Sequence, residues 1–111
     1  MADTGDGFRV VLTTADSAEL ADRLARGLVE RRLAACVNIV GPVRSVYRWK
    51  GEIVSDDERL LLIKTDSEHF EALREAIREL HSYEVPEILA LAVTAGDRPY
   101  LDWLADCLAD G

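Results

Sequence analysis

Cysteine is scarce in this chain, with only Cys36 and Cys107 among 111 residues. They stand in unrelated contexts with no C-x-x-C spacing, which excludes a disulfide framework or a structural zinc site of recognisable pattern. Unpaired thiols point to a reducing cytoplasm. Basic residues are outnumbered, 13 Lys and Arg against 21 Asp and Glu, for a formal charge of −8. Arg31-Arg32 is the only basic pair, too short to attract a nucleic-acid backbone, so no nucleic acid is expected as a partner. No apolar run approaches the roughly 18 to 20 residues that cross a bilayer, and no membrane partner is expected either. Residues 1–7 lack the basic and apolar regions of a secretion signal and read as a disordered tail ahead of a single domain over residues 8–111. There is also no Gly-rich phosphate loop, no H-E-x-x-H and no Ser/His/Asp arrangement, which favours a binding protein over an enzyme.

What is present alternates between two periods. Phe8 to Thr14 alternates and is rich in β-branched residues, as strands are. Asp16-Ser17-Ala18-Glu19 then predicts a helix over residues 17–32, capped by Asp16 with Glu19 reaching back, and Leu20, Ala21, Leu24, Ala25, Leu28 and Val29 lie on its apolar side. From Leu33 the period returns to two, through Gly41-Pro42, as far as Trp49. Lys50-Gly51 reads as a tight turn and the return strand ends at Lys64. Asp66-Ser67 caps a second amphipathic helix carrying Phe70, Leu73, Ile77 and Leu80. Residues 88–93 read as a buried strand, and Gly96-Asp97-Arg98-Pro99 opens a last helix. This βαββαβ order with an extra C-terminal helix predicts an α+β, ferredoxin-like sandwich.

The central hairpin is too long for such a domain. Arms of about 14 residues span roughly 45 Å at about 3.3 Å per residue, against roughly 34 Å for a globule of this length. Part of it must project, bend or pair with another chain, and Val43, Val46, Tyr47 and Trp49 would expose apolar surface that soluble proteins cover. Self-association follows as an expectation.

Five segments together resemble one family. Ala34-Ala35-Cys36-Val37-Asn38, Ser45-x-Tyr47-x-Trp49-x-Gly51, Lys64-Thr65, His81-x-Tyr83-x-x-Pro86-Glu87-Ile88, and Gly96-Asp97 followed by Tyr100-Leu101-x-Trp103 are similar, in order and spacing, to the CutA divalent-cation-tolerance family. The resemblance runs from about Val10 to Leu108. It implies a PII-like homotrimer with interlocking hairpins and clefts where copies meet, a role in tolerance of copper or other divalent cations, and no assigned catalytic reaction. Thr13 and Ala76 stand where some members carry cysteine, and Leu80 precedes the single His81.

Each candidate residue carries two readings. Cys36 is a soft thiolate ligand for copper or a packed thiol. His81 is a metal-binding imidazole or a helix terminator. Lys64, Tyr83, Glu84 and Glu87 form a cleft for a small polar ligand, or are turn and strand residues that are solvated or paired. A Lys64/Tyr83/Glu84 cluster is also the one arrangement suited to proton transfer. Tyr47, Trp49 and Trp103 are read as trimer-interface aromatics, with ligand stacking as the alternative for Tyr47 and Trp49 and the core for Trp103. Two functions remain in view: non-catalytic binding of copper or another divalent cation, and a PII-like signalling module with a small polar ligand.

Overall fold

The computed structural model describes residues 2–109. Its elements are β1 (Ala2–Thr4), β2 (Phe8–Ala15), α1 (Ala18–Glu30), β3 (Cys36–Trp49), β4 (Glu52–Asp66), α2 (Phe70–Leu80), β5 (Leu89–Ala92), β6 (Ala95–Asp97) and α3 (Arg98–Leu108). Four strands form one antiparallel sheet in the order β3-β4-β2-β5. Leu20, Ala21, Leu24 and Leu28 of α1, with Leu73, Ala76 and Ile77 of α2, bury Val11, Leu61 and Ile63 on one face of it. Helical periodicity on the helices and alternation on the strands thus meet in a single core.

Three local readings are corrected. Residues 2–7 are not a disordered tail. β1 pairs with β6, Ala2 opposite Asp97 and Thr4 opposite Ala95, and Gly5 is buried where a Cβ would lie 2.1 Å from the Val93 carbonyl oxygen. Position 1 of that stretch lies outside the described residues. The pairing joins the two ends of the chain, so nothing in the local sequence announces it. The α1 cap is Ser17, which accepts the Leu20 N–H at 3.1 Å, while Asp16 is exposed. β5, expected to be buried, is exposed at all four residues, with Leu89 at 55% and Leu91 at 49%. It is an edge strand, and its apolar run has no cover within one copy.

The hairpin is as long as the sequence requires, 14 residues in β3 and 15 in β4, and it stretches the molecule to 47 × 26 × 22 Å. Lys50 and Gly51 turn it with φ of 50° and 82°, the left-handed pair that a two-residue hairpin loop needs. β2 accompanies β4 only as far as Ala15 opposite Arg59. Beyond that, β4 pairs with β3 alone. Between Val40 and Val43 the register slips, three residues of β3 spanning two of β4. Such an extra residue exchanges the faces of a strand. Ser45, Tyr47 and Trp49 therefore continue the face begun by Cys36 and Asn38, away from α1 and α2. At the slip, a Cβ on Gly41 would meet the Arg59 side chain at 2.4 Å and the Glu58 carbonyl at 3.1 Å, so a larger residue there would have to displace Arg59 and press on the β4 backbone.

The face opposite α1 and α2 carries Val10, Leu12, Leu60 and Leu62 by alternation and register. α3 covers only one end of the molecule, through Leu104 and Leu108 against Ala35 and Phe8. Arg32, held at φ 57°, reaches across to the Cys107 and Ala109 carbonyls at 3.3 Å each.

Two threonines buried in the core differ in one respect. Thr65 donates to the Leu33 carbonyl at 2.7 Å, whereas the equally buried Thr13 hydroxyl has no partner among the described residues. An unmade buried hydrogen bond costs about 1–3 kcal/mol. Thr13→Val is expected to raise stability by about 1 kcal/mol in urea unfolding and Thr65→Val to lower it by about 1 kcal/mol. Equal effects of the two substitutions would show that Thr13 has a partner after all.

Candidate functional site

Where β4 outruns β2, the segment after α2 folds in beside it and a cleft of about 670 Å³ opens between the two. Ser45, Tyr47, Trp49 and Glu58 line it from the hairpin, and Ser82, Tyr83, Glu84, Val85 and Glu87 from the segment. The bulge in β3 supplies the hairpin side, since without it Tyr47 and Trp49 would face the other way.

His81 anchors the opposite side. Its Nε2 lies 2.6 Å from the Thr14 carbonyl and its Nδ1 is 3.1 Å from the Tyr83 backbone N–H. A carbonyl can only accept and an N–H can only donate, so Nε2 carries the proton and Nδ1 the lone pair. The ring is thereby fixed in its neutral tautomer, tilted against the Tyr83 ring at a centroid separation of 4.4 Å. Pro86 holds φ in the middle of the segment and keeps Val85 out of helix.

At the floor the Tyr83 hydroxyl donates to Glu58 Oε2 at 2.5 Å. Glu58 is only 5% exposed. Burial, then the hydrogen bond and charge of Glu58, push the Tyr83 phenol well above its ordinary value, and it stays protonated as a donor. Nearby, Tyr47 donates to Asp56 Oδ2 at 2.5 Å, and that bond foremost raises its phenol too. Glu84 and Glu87 are exposed at the rim. None of the lining residues is lysine, arginine or histidine. Among the described residues no ion pair involves Glu58, Glu84 or Glu87.

The other candidates lie elsewhere. Lys64 does not join Tyr83, Glu84 and Glu87 within the chain. It stands opposite Cys36 in the β3–β4 register, with its ammonium on the Asn38 carbonyl oxygen and 4.0 Å from the Cys36 thiol. Glu58 is six residues further along β4, roughly 20 Å away. The proton-transfer cluster is thus not assembled. Nor are Cys36 and His81 neighbours. Cys36 is level with Val10 on β2 through Lys64, whereas His81 bonds Thr14, four residues on and roughly 13 Å away. A copper site built on this pair does not fit: both nitrogens of His81 are engaged, and no group of three His, Cys, Asp or Glu able to hold a metal occurs among the described residues. Trp103 is on α3, 46% exposed and 5.5 Å from the Tyr100 ring. Glu58 is a site residue that the sequence reading does not single out, because alternation splays Asp56-Asp57-Glu58 to opposite faces of a strand. Its parity with Lys64, on the face away from the helices, was the available signal.

Residues 9–107 match the family described as CutA1 divalent ion tolerance protein. The chain belongs to this family. A divalent-cation tolerance protein CutA from Thermus thermophilus is 55% identical over 97 residues, 87% of this chain and 94% of that one, and a solved structure from that organism aligns with a TM-score of 0.86. The human protein CutA is 42% identical over 93% of this chain, which spans only 60% of the human length. CutA from Synechococcus elongatus, solved in complex with Bis-Tris, is 36% identical with a TM-score of 0.90, covering 97% of this chain and 100% of that one. The family is named for cation tolerance and not for a reaction, and among the described residues no helix is long and apolar enough to cross a membrane.

The raised Tyr83 phenol has a consequence at high pH. A group whose folded pKa lies above its unfolded value gives stability that is complete below the unfolded value, about 10 for tyrosine, and is lost as pH rises through the folded one. Chemical unfolding from pH 9 to 11.5 should show stability falling with pH, and falling less steeply in Tyr83→Phe. Identical slopes would place Tyr83 in solvent and its bond to Glu58 with it.

Proposed function

We propose that this chain serves divalent-cation tolerance as a non-catalytic, cytoplasmic homotrimer whose acidic cleft collects copper or another divalent cation. One observation carries the reading: a concave site holds a buried carboxylate at Glu58, two more at Glu84 and Glu87, and no basic side chain to balance them. Carboxylate oxygens suit hard divalent ions. Within one copy these glutamates do not come together as a group able to hold a metal among the described residues, so the metal-binding site of this reading takes further donors from a neighbouring copy or from water. Cys36 and His81 have no part in it.

Trimer formation is supported by the uncovered apolar surface of β5 and of the sheet face opposite α1 and α2, and by the hairpin that projects past the domain. Tyr47, Trp49 and Trp103 are the interface aromatics of this reading, a role that leaves Tyr47 and Trp49 on the wall of the cleft. The arrangement is then ferredoxin-like within each copy and PII-like between copies. Relatives are named chloroplastic in Arabidopsis thaliana and periplasmic in Archaeoglobus fulgidus, so compartment varies across the family. The two free thiols fit the cytoplasm here.

A second reading, a PII-like module for a small polar ligand, is favoured by the aromatic walls of the cleft and by the Bis-Tris complex of the Synechococcus elongatus relative. Calorimetric titration of copper(II) into reduced, metal-free protein tests the first. Saturable binding, weakened at least tenfold in the double variant Glu84→Gln/Glu87→Gln and unchanged in Cys36→Ala, is expected, with a solution mass of three chains by sedimentation. Binding lost in Cys36→Ala would return the site to the thiol, and a mass of one chain would end the trimer.

A further inference from the structure

The lining of the cleft says more about its guest than its charge does. A transition metal of the softer kind wants sulfur or imidazole donors, and the cleft offers neither, since no cysteine lines it and both nitrogens of His81 are used. A hard divalent ion wants about six oxygens at close range. Here one oxygen of Glu58 already receives the Tyr83 hydroxyl, Asp56 receives Tyr47, and Glu84 and Glu87 stand exposed at the rim.

The remaining surface is aromatic and aliphatic: Tyr47, Trp49, Val85 and the ring of Tyr83. Such a wall gives nothing to a bare ion but does bind methylene groups and the cationic head of an ammonium compound. Trp49 already has the Lys50 ammonium 5.7 Å from its ring centroid. An ammonium has three donors. The second oxygen of the buried Glu58 carboxylate takes one of them and water in the open cleft takes the others. A volume of about 670 Å³ is ample for a short-chain amine with its first water shell.

We propose that the cleft binds a protonated organic amine, with its ammonium on Glu58 and its carbon chain against Tyr47 and Trp49. This rests on the reading of the cleft as the chain's small-ligand site. Specificity divides between the two parts. Glu58 selects charge, and the aromatic wall favours a ligand with two to several methylenes beside its nitrogen.

The test is calorimetric titration of the full chain at 0.15 M salt with 1,4-diaminobutane, with the equally long but neutral 1,4-butanediol, and with copper(II), each also run on Glu58→Gln and Trp49→Leu. Glutamine keeps an acceptor for the Tyr83 hydroxyl while removing the charge, and each variant is first shown by circular dichroism and sedimentation to be folded with the wild-type solution mass. The expected result is saturable diamine binding, no diol binding, and at least a tenfold loss of diamine affinity in each variant. Copper saturating the cleft while the diamine fails to bind would overturn the amine assignment and leave the cleft standing as a metal site. Failure of all three ligands would remove both readings. Diamine binding unchanged by both substitutions would show general attraction to an acidic surface and overturn the assignment as well.

Discussion

β4 is longer than the strand that should shelter it. From Arg59 to Asp66 it lies between β3 and β2 in a complete sheet, and from Glu52 to Glu58 it has β3 on one side and nothing from the sheet on the other. A polar backbone does not remain in that position without some neighbour. The segment from His81 to Glu87 closes in at the place where β2 stops, and the cleft is what remains between them. The exposed aromatics, the buried glutamate and the elongated shape all follow from this mismatch in strand length.

Holding the segment there is the work of His81. A histidine at a helix end ordinarily relieves exposed carbonyls of its own helix. Here the imidazole crosses to the end of β2 and donates to the Thr14 carbonyl, then accepts the Tyr83 N–H with its other nitrogen. Tyr83 is thereby aimed at Glu58 rather than at solvent. Because the neutral tautomer alone satisfies both contacts, the ring has no lone pair left for a metal. The same residue that looked like a ligand is a positioning residue for the phenol.

How much of this the sequence discloses depends on range. Alternation and helical periodicity place α1, α2, α3 and the long strands, because those signals lie within single elements. The hairpin turn at Lys50-Gly51 is equally local. What escapes is anything that joins distant segments: the β1–β6 pair, the exposure of β5 despite its apolar run, and the face that Glu58 occupies. Lys64 shows the limit well. Its position at the end of an apolar strand correctly suggests a polar partner, yet the partner is Asn38 across the β3–β4 ladder, with Cys36 beside it, and not the carboxylates after α2. Register decides that, and the register of β3 contains an extra residue at Gly41-Pro42 whose effect on facing is visible only once the strands are paired.

Glu58 is the point at which stability and function pull apart. Among the described residues Glu58 has one hydrogen-bond donor, the Tyr83 hydroxyl, and no ion pair, and a nearly buried carboxylate so sparsely partnered is a costly arrangement. An aliphatic side chain of similar size at that position, packed beside Tyr83, would suit a protein that needed only to fold. Retaining the acid keeps a site whose unmet demand is for positive charge, walled by rings that prefer an organic cation to a hydrated ion. Within one copy the demand is left open, and the features that leave it open, an outrunning strand and a bulge that turns Tyr47 and Trp49 inward, are the same ones that give the cleft its shape.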